Sequence, residues 1–217
     1  MKFNQLGRSM VEMLGVLAII GVLSVGAIAG YSKAMFKYKL NKQAESFNML
    51  LNNAIQIKPQ LERAFTSTSI SFGADLFDKL NLIPDGMRVE GSTIYDVFHN
   101  SIGISYYYNN QNGNIDYVLH WTMDRANNKT TQRASEICRN MILVAKENAA
   151  NLPVLSVRTG QTDGTYDATA LNGDERCTNN RNCLRNATLQ QINDMCSACE
   201  SETYCQLIIY FMIKKYQ

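Results

Sequence analysis

Two features of this chain have residue types and spacing that could do chemistry. One is Glu12, the only charge between positions 10 and 29, in the stretch GRSMVEMLGVLAIIGVLSVGAIAGY at 7–31. The other is a set of six cysteines, Cys138, Cys177, Cys183, Cys196, Cys199 and Cys205, all in the C-terminal half. Cys-Ser-Ala-Cys at 196–199 has the spacing of a redox-active dithiol. That motif needs a strand before it and a helix that carries it, whereas here a short helix is expected to precede it. Cys177, Cys183, Cys196 and Cys199 could instead hold zinc. The C-x2-C half fits, but the five-residue gap between Cys177 and Cys183 does not. An even number of cysteines downstream of an apolar segment fits disulfides in an oxidising compartment better than either.

Other chemistry is missing from the sequence. His99 and His120 are the only histidines. They are too few for a His-based metal site and are expected to be structural or exposed. There is no phosphate loop, no Gly-x-Ser-x-Gly and no His-Glu-x-x-His. Asp75, Asp78, Asp163 and Asp167 are scattered and read as solvated. Tyr106, Tyr107, Tyr108, Tyr117 and Trp121 could form a stacking surface, but read more simply as sheet core and face. The net charge is +2, and no basic patch is interleaved with aromatics, which argues against nucleic acid. The expectation is a chain that is not an enzyme and holds no cofactor or metal.

The elements around Glu12 decide what a carboxylate could do there. About 20 apolar residues suffice to cross a bilayer as a helix, so 10–29 is long enough for a single-pass anchor. Lys2, Arg8 and Ala27-Ile28-Ala29 would also fit a cleaved secretory signal, but the apolar run exceeds the usual ~7–15 residues. Neither reading uses Glu12. An acid at the centre of a spanning helix costs about 2.5–3.5 kcal/mol, so it calls for a partner. If the chain is cut after Gly7, Arg8 carries a new α-amino group. In a stack of axially shifted copies, Glu12 of one subunit would meet that ammonium on its neighbour.

These residues resemble the start of type IV pilins and the related pseudopilins. That family has a short basic leader ending in Gly, a cut by a prepilin peptidase, Glu at the fifth mature position and an apolar helix. Here the leader is MKFNQLG, the cut follows Gly7 and the acid is Glu12. The chain departs from the family in having Arg8 directly after the cut, and in lacking the Pro that often interrupts the helix. Gly15, Gly21, Gly26 and Gly30 would loosen the helix instead and let neighbouring helices approach closely.

The resemblance implies a structural subunit of a pilus-like filament, with a pseudopilin or minor pilin as the alternative. A membrane-tethered binding module, uncleaved, is the rival from another class. The implied partners are prepilin peptidase, the inner-membrane assembly machinery and further copies of the chain in a helical filament. The implied site is the inner membrane, single-pass, with the C-terminus outside the cytoplasm, and a periplasmic or extracellular filament after assembly. Basic residues argue the opposite orientation, because Lys33, Lys37, Lys39 and Lys42 follow the span. The cysteines and the resemblance favour the C-terminus outside.

The organisation reads as a leader at 1–7, a spanning and filament-core helix at 8–30, its amphipathic continuation at 31–65, and an α+β globular domain at 66–217. Leu40, Ala44, Phe47, Leu51, Ala54 and Leu61 mark the apolar stripe of the continuation. Pro59 predicts a kink or stop. A short helix is expected at 74–80 and strands at 88–98 and 101–108. A turn at Asn112-Gly113 would return the chain into a strand at 115–123. A helix at 130–150, a strand at 152–157, a loop at 158–176, a helix at 187–196 and a buried strand at 203–213 follow. The fold class is a long N-terminal helix on a mainly antiparallel sheet with further short helices, in the manner of the larger, type IVb-like pilins. Cys138 lies on the apolar side of its helix, so a bridge to the last strand is expected. Of 15 possible pairings, Cys138–Cys205, Cys177–Cys183 and Cys196–Cys199 are the expectation.

Overall fold

The computed structural model describes residues 10–64, 71–109, 114–124, 133–160, 166–178, 182–201 and 204–212. The chain divides into two compact units, Met1–Lys39 and Leu40–Gln217. Helix α1 (Met10–Ala64) contributes to both.

Pro59 lies inside α1 and does not end it. Proline's fixed φ is helical, so only one backbone hydrogen bond is lost. Ile57, two residues earlier, is buried. Within the second unit α1 buries Gln43, Ser46, Phe47, Leu50, Leu51, Ala54 and Ile57. The packed face is thus rotated slightly from the expected stripe, with Leu40 and Ala44 only half-buried. Polar Gln43 and Ser46 are on it because each finds a hydrogen-bond partner across the interface, Asp96 and the Asp85 carbonyl.

The remaining elements are β1 (Ser71–Phe72), α2 (Ala74–Lys79), β2 (Arg88–Glu90), β3 (Thr93–Tyr95), β4 (Ser101–Asn109), β5 (Asn114–Asp124), α3 (Ala134–Glu147), β6 (Val154–Gly160), β7 (Tyr166–Asn172), α4 (Leu189–Ser201) and β8 (Tyr204–Met212). The strands form one sheet in the order β2-β3-β4-β5-β8-β6-β7, with β1 also paired to β4. Every pairing is antiparallel. β8 is inserted between β5 and β6, as its apolar run requires, since a central strand is covered on both faces. The Asn112-Gly113 turn lies outside the described residues, but the strands on either side of it pair from Asn109↔Asn114 onward.

The stretch expected as a loop at 158–176 contains β7, an edge strand. Among its described side chains, those at 167–170 are exposed and Leu171 is buried, so Asp167 to Ala170 show no apolar alternation to reveal it. Backbone pairing with β6 from Val154↔Asn172 to Gly160↔Tyr166 makes the strand.

One face of the sheet collects Ile102, Ile104, Tyr117, Leu119, Trp121, Leu155, Leu207 and Ile209, all buried. The helices cover this face. Phe47 of α1 meets Trp121 edge-on, with ring centroids 4.9 Å apart. Phe77 of α2 stacks obliquely on Tyr117. Tyr117 and Trp121 are therefore core. A buried Phe or Leu contributes about 1.5–3 kcal/mol, so this layer dominates the stability of the unit. Asn140 of α3 and Asn148 just after it donate to the Leu40 carbonyl and to Asn48 Oδ1, holding α3 beside α1. Gly173, after β7, approaches the end of α3 so closely that a Cβ would lie 1.5 Å from the Leu152 carbonyl oxygen.

Candidate functional site

Every described residue from 10 to 34 in α1 is exposed. The exposed set includes large apolar side chains: Met10 at 86%, Val22 at 75% and Ile28 at 69%. Length and composition make this segment able to cross a membrane. A Cβ built at Gly15, Gly21, Gly26 or Gly30 meets nothing within 4 Å. These four glycines leave open surface that a neighbouring helix could enter. Glu12 is exposed in the first turn. Gly7 and Arg8 lie outside the described residues.

The six cysteines form Cys138–Cys196, Cys177–Cys183 and Cys199–Cys205, with Cα separations of 5.7, 5.3 and 5.2 Å. Cys177–Cys183 matches the expected pairing. Cys138–Cys205 and Cys196–Cys199 are not formed. The reason is the extent of α4, which continues through Cys-Ser-Ala-Cys to Ser201. A capping box starts this helix: Thr188 Oγ1 accepts from Gln191 N–H, while Gln191 Oε1 accepts from Thr188 N–H. Ile192, Met195, Cys196 and Cys199 then share its buried face at helical spacing. Cys196 meets Cys138 on α3, and Cys199 meets Cys205 on β8. The helix α3 is thus linked to the last strand through α4 and not directly.

This connectivity removes both competing readings of the thiols. Cys196 and Cys199 are each bonded to a different element, so they are not one dithiol. With all six sulfurs in bridges, none is a thiolate ligand. Among the described residues no cluster of His, Cys, Asp or Glu could hold a metal.

Sequence reasoning missed a dense polar site among the described residues, built on Asp96. Its Oδ1 accepts from the backbone N–H of Phe98 and of Asn100, both at 2.8 Å. Its Oδ2 accepts from Gln43 Nε2 at 2.5 Å, Asn100 Nδ2 at 2.9 Å and Trp121 Nε1 at 3.1 Å. One carboxylate thereby closes the β3–β4 turn and ties α1 to β5. Burial pushes its pKa above the ordinary value; hydrogen bonds from Asn100, then Gln43 and Phe98, pull it back. The visible signal was Asp-x-x-x-Asn between two β-rich runs, a side chain placed to accept turn amides.

The two histidines are structural or surface groups. His99 is exposed, adopts φ 64° in that turn and has its Nδ1 2.7 Å from Arg88 Nη2. His120 lies on the second face of the sheet, where burial, then the charge of Arg158, lowers its pKa. Asp75, Asp78 and Asp167 are exposed as expected. Asp163 and the side chains of Tyr106, Tyr107, Tyr108 and Leu61 lie outside the described set.

Comparison with models of known families, with curated proteins and with solved structures finds no match to this chain. The functional reading therefore rests on the exposed apolar helix, on Glu12 within it and on the disulfide-bonded α+β unit.

Proposed function

We propose that the chain is a structural subunit of a type IV pilus-like filament, cut by prepilin peptidase after Gly7 and assembled through its N-terminal helix. The observation that carries the reading is the exposure of α1 over 10–34. So much apolar surface requires cover from lipid or from other copies of the chain. Glu12 within it gives a charged register point that a terminal ammonium on a neighbouring subunit would satisfy. Open glycine positions support close helix approach. The α+β layout and the bridged C-terminal region fit a subunit whose second unit faces the exterior. The precursor is placed in the inner membrane with that unit outside the cytoplasm, where disulfides form.

Intact mass of the purified protein tests processing. The expected species begins at Arg8, and deleting the peptidase gene should restore the longer form. A chain that keeps Met1 in the presence of the peptidase would overturn the proposal and favour an uncleaved tethered module. Glu12→Ala should process normally but fail to assemble. Normal filaments from that variant would refute the register role.

A further inference from the structure

The stretch of α1 after the apolar run is basic and aromatic. Tyr31, Lys33, Lys37, Tyr38 and Lys39 fall within one short segment, and no Asp or Glu occurs between Glu12 and Glu45. Tyr31 and Tyr38 are 67% and 62% exposed. Lys33 and Lys37 are exposed as well. Four residues apart, these two lysines leave the helix on one side. Among the described residues neither pairs with a carboxylate; further along the helix Lys42 meets Glu45 at 3.5 Å.

The axial spacing gives this cluster a physical setting. Glu12 and Tyr31 are nineteen residues apart, which at 1.5 Å per residue is about 28 Å. The hydrocarbon core of a bilayer is about 30 Å thick. When the residues between them fill that core, Glu12 and Tyr31 rest at its two boundaries. A lone subunit therefore holds Glu12 at a headgroup layer, away from the bilayer centre where an acid is most costly. At the other boundary Tyr31 takes the position that tyrosine favours, ring in the acyl margin and hydroxyl in the headgroups. Lys33 follows about 3 Å further out and Lys37 about 9 Å. The flexible Lys37 stem reaches back to the same layer.

We propose that Tyr31, Lys33 and Lys37 form an anchor for anionic phospholipid headgroups at the bilayer face from which the chain continues to Leu40. The proposal rests on reading α1 as a membrane-spanning segment, and adds the lipid class and the residues that bind it. The ammonium groups donate to the headgroup phosphodiester, and the phenol of Tyr31 sits beside them. Each lysine near an anionic surface favours binding about fivefold. Removing a subunit from the bilayer into a filament must break these contacts, so the anchor holds the precursor until assembly machinery extracts it.

The test uses the full chain in phosphatidylcholine vesicles with a minor fraction of phosphatidylglycerol. Spin-labelled versions of each lipid report which headgroup contacts the protein. Wild type should prefer phosphatidylglycerol. The preference should fall about fivefold per lysine in Lys33→Gln/Lys37→Gln, collapse in high salt and survive in Lys79→Gln. Equal preference in wild type and the double variant would overturn the anchor, as would no preference in wild type. An alkaline carbonate wash separates the two levels of failure. Protein stripped from the vesicles would defeat the spanning reading and the anchor with it. Protein that stays integrated without headgroup preference would defeat the anchor alone.

Discussion

Replacing Cys138 and Cys196 together by alanine should destabilise the second unit far more than replacing Cys177 and Cys183. The first bridge closes a sequence separation of 58 residues, the second only 6. In the chain-entropy description, a loop of the first size is worth about 4 kcal/mol and one of the second about 2 kcal/mol. The difference, 1.5RT times the logarithm of the ratio of separations, is about 2 kcal/mol. Burial acts in the same direction, because Cys138 and Cys196 are fully buried, whereas Cys177 and Cys183 are half-exposed. Urea unfolding of the detergent-solubilised full chain measures both losses. Trp121 is the only tryptophan, it is fully buried, and it reports on the central sheet. The slope against urea should rise when a bridge is removed, because the unfolded chain expands, so the losses are compared as free energies extrapolated to water. If the two double variants lose the same stability to within about 0.5 kcal/mol, the scale on which independent sites add, the loop-length argument is wrong. A peptide map that pairs Cys138 with Cys205 would refute the connectivity itself.

Asp96→Ala should cost more than about 4 kcal/mol, because Trp121 Nε1, Gln43 Nε2, Asn100 Nδ2 and two backbone amides lose their acceptor in a buried site; a loss below about 1 kcal/mol in the same urea assay would show that the site is not cooperative. The pH dependence has a defined sign. Asp96 is held above its ordinary 3.8, so between 3.8 and the raised value the folded state binds the proton more tightly than the unfolded state. Its contribution to stability therefore grows as pH falls through that window and is lost as pH rises through the raised value. Subtracting urea midpoints of Asp96→Asn from those of wild type across acid pH should reveal this slope, and an opposite slope would contradict the assignment. Gly173→Ala should lose about 2 kcal/mol or more, since the segment must withdraw from Leu152 and release the bonds from Gly173 N–H to the Pro153 carbonyl and from Asp174 N–H to the Ala149 carbonyl. A neutral Gly173→Ala in thermal unfolding would refute that close approach.

Much of the fold was legible because its signals are local. The helical spacing at Ala134, Ile137, Cys138, Met141 and Ile142 marks α3, and each of these side chains is buried. The β-branched and aromatic run that forms β8 was too apolar for an edge, and it is a central strand. β7 stayed hidden because an edge strand exposed from Asp167 to Ala170 leaves no pattern. Pro59 did not stop α1, because its fixed φ is compatible with a helix and the loss of one hydrogen bond need not end it. Asp96 escaped notice because its value comes from Gln43 and Trp121, residues 53 and 25 positions away.

By itself the sequence determined the exposed apolar segment, the position of Glu12 within it, the α+β class and the presence of an even set of cysteines. Each depends on composition and short-range spacing, which the chain carries wherever it folds. Tertiary structure alone decided the partners of Cys138, Cys196, Cys199 and Cys205, the order of strands and the tie between α1 and the sheet through Asp96. These depend on which distant surfaces meet. Cys196 and Cys199 make the point most directly. Their spacing suggested one bridge between them, but a helix turned both toward other elements, and each sulfur bonds the neighbour that packing brought within reach.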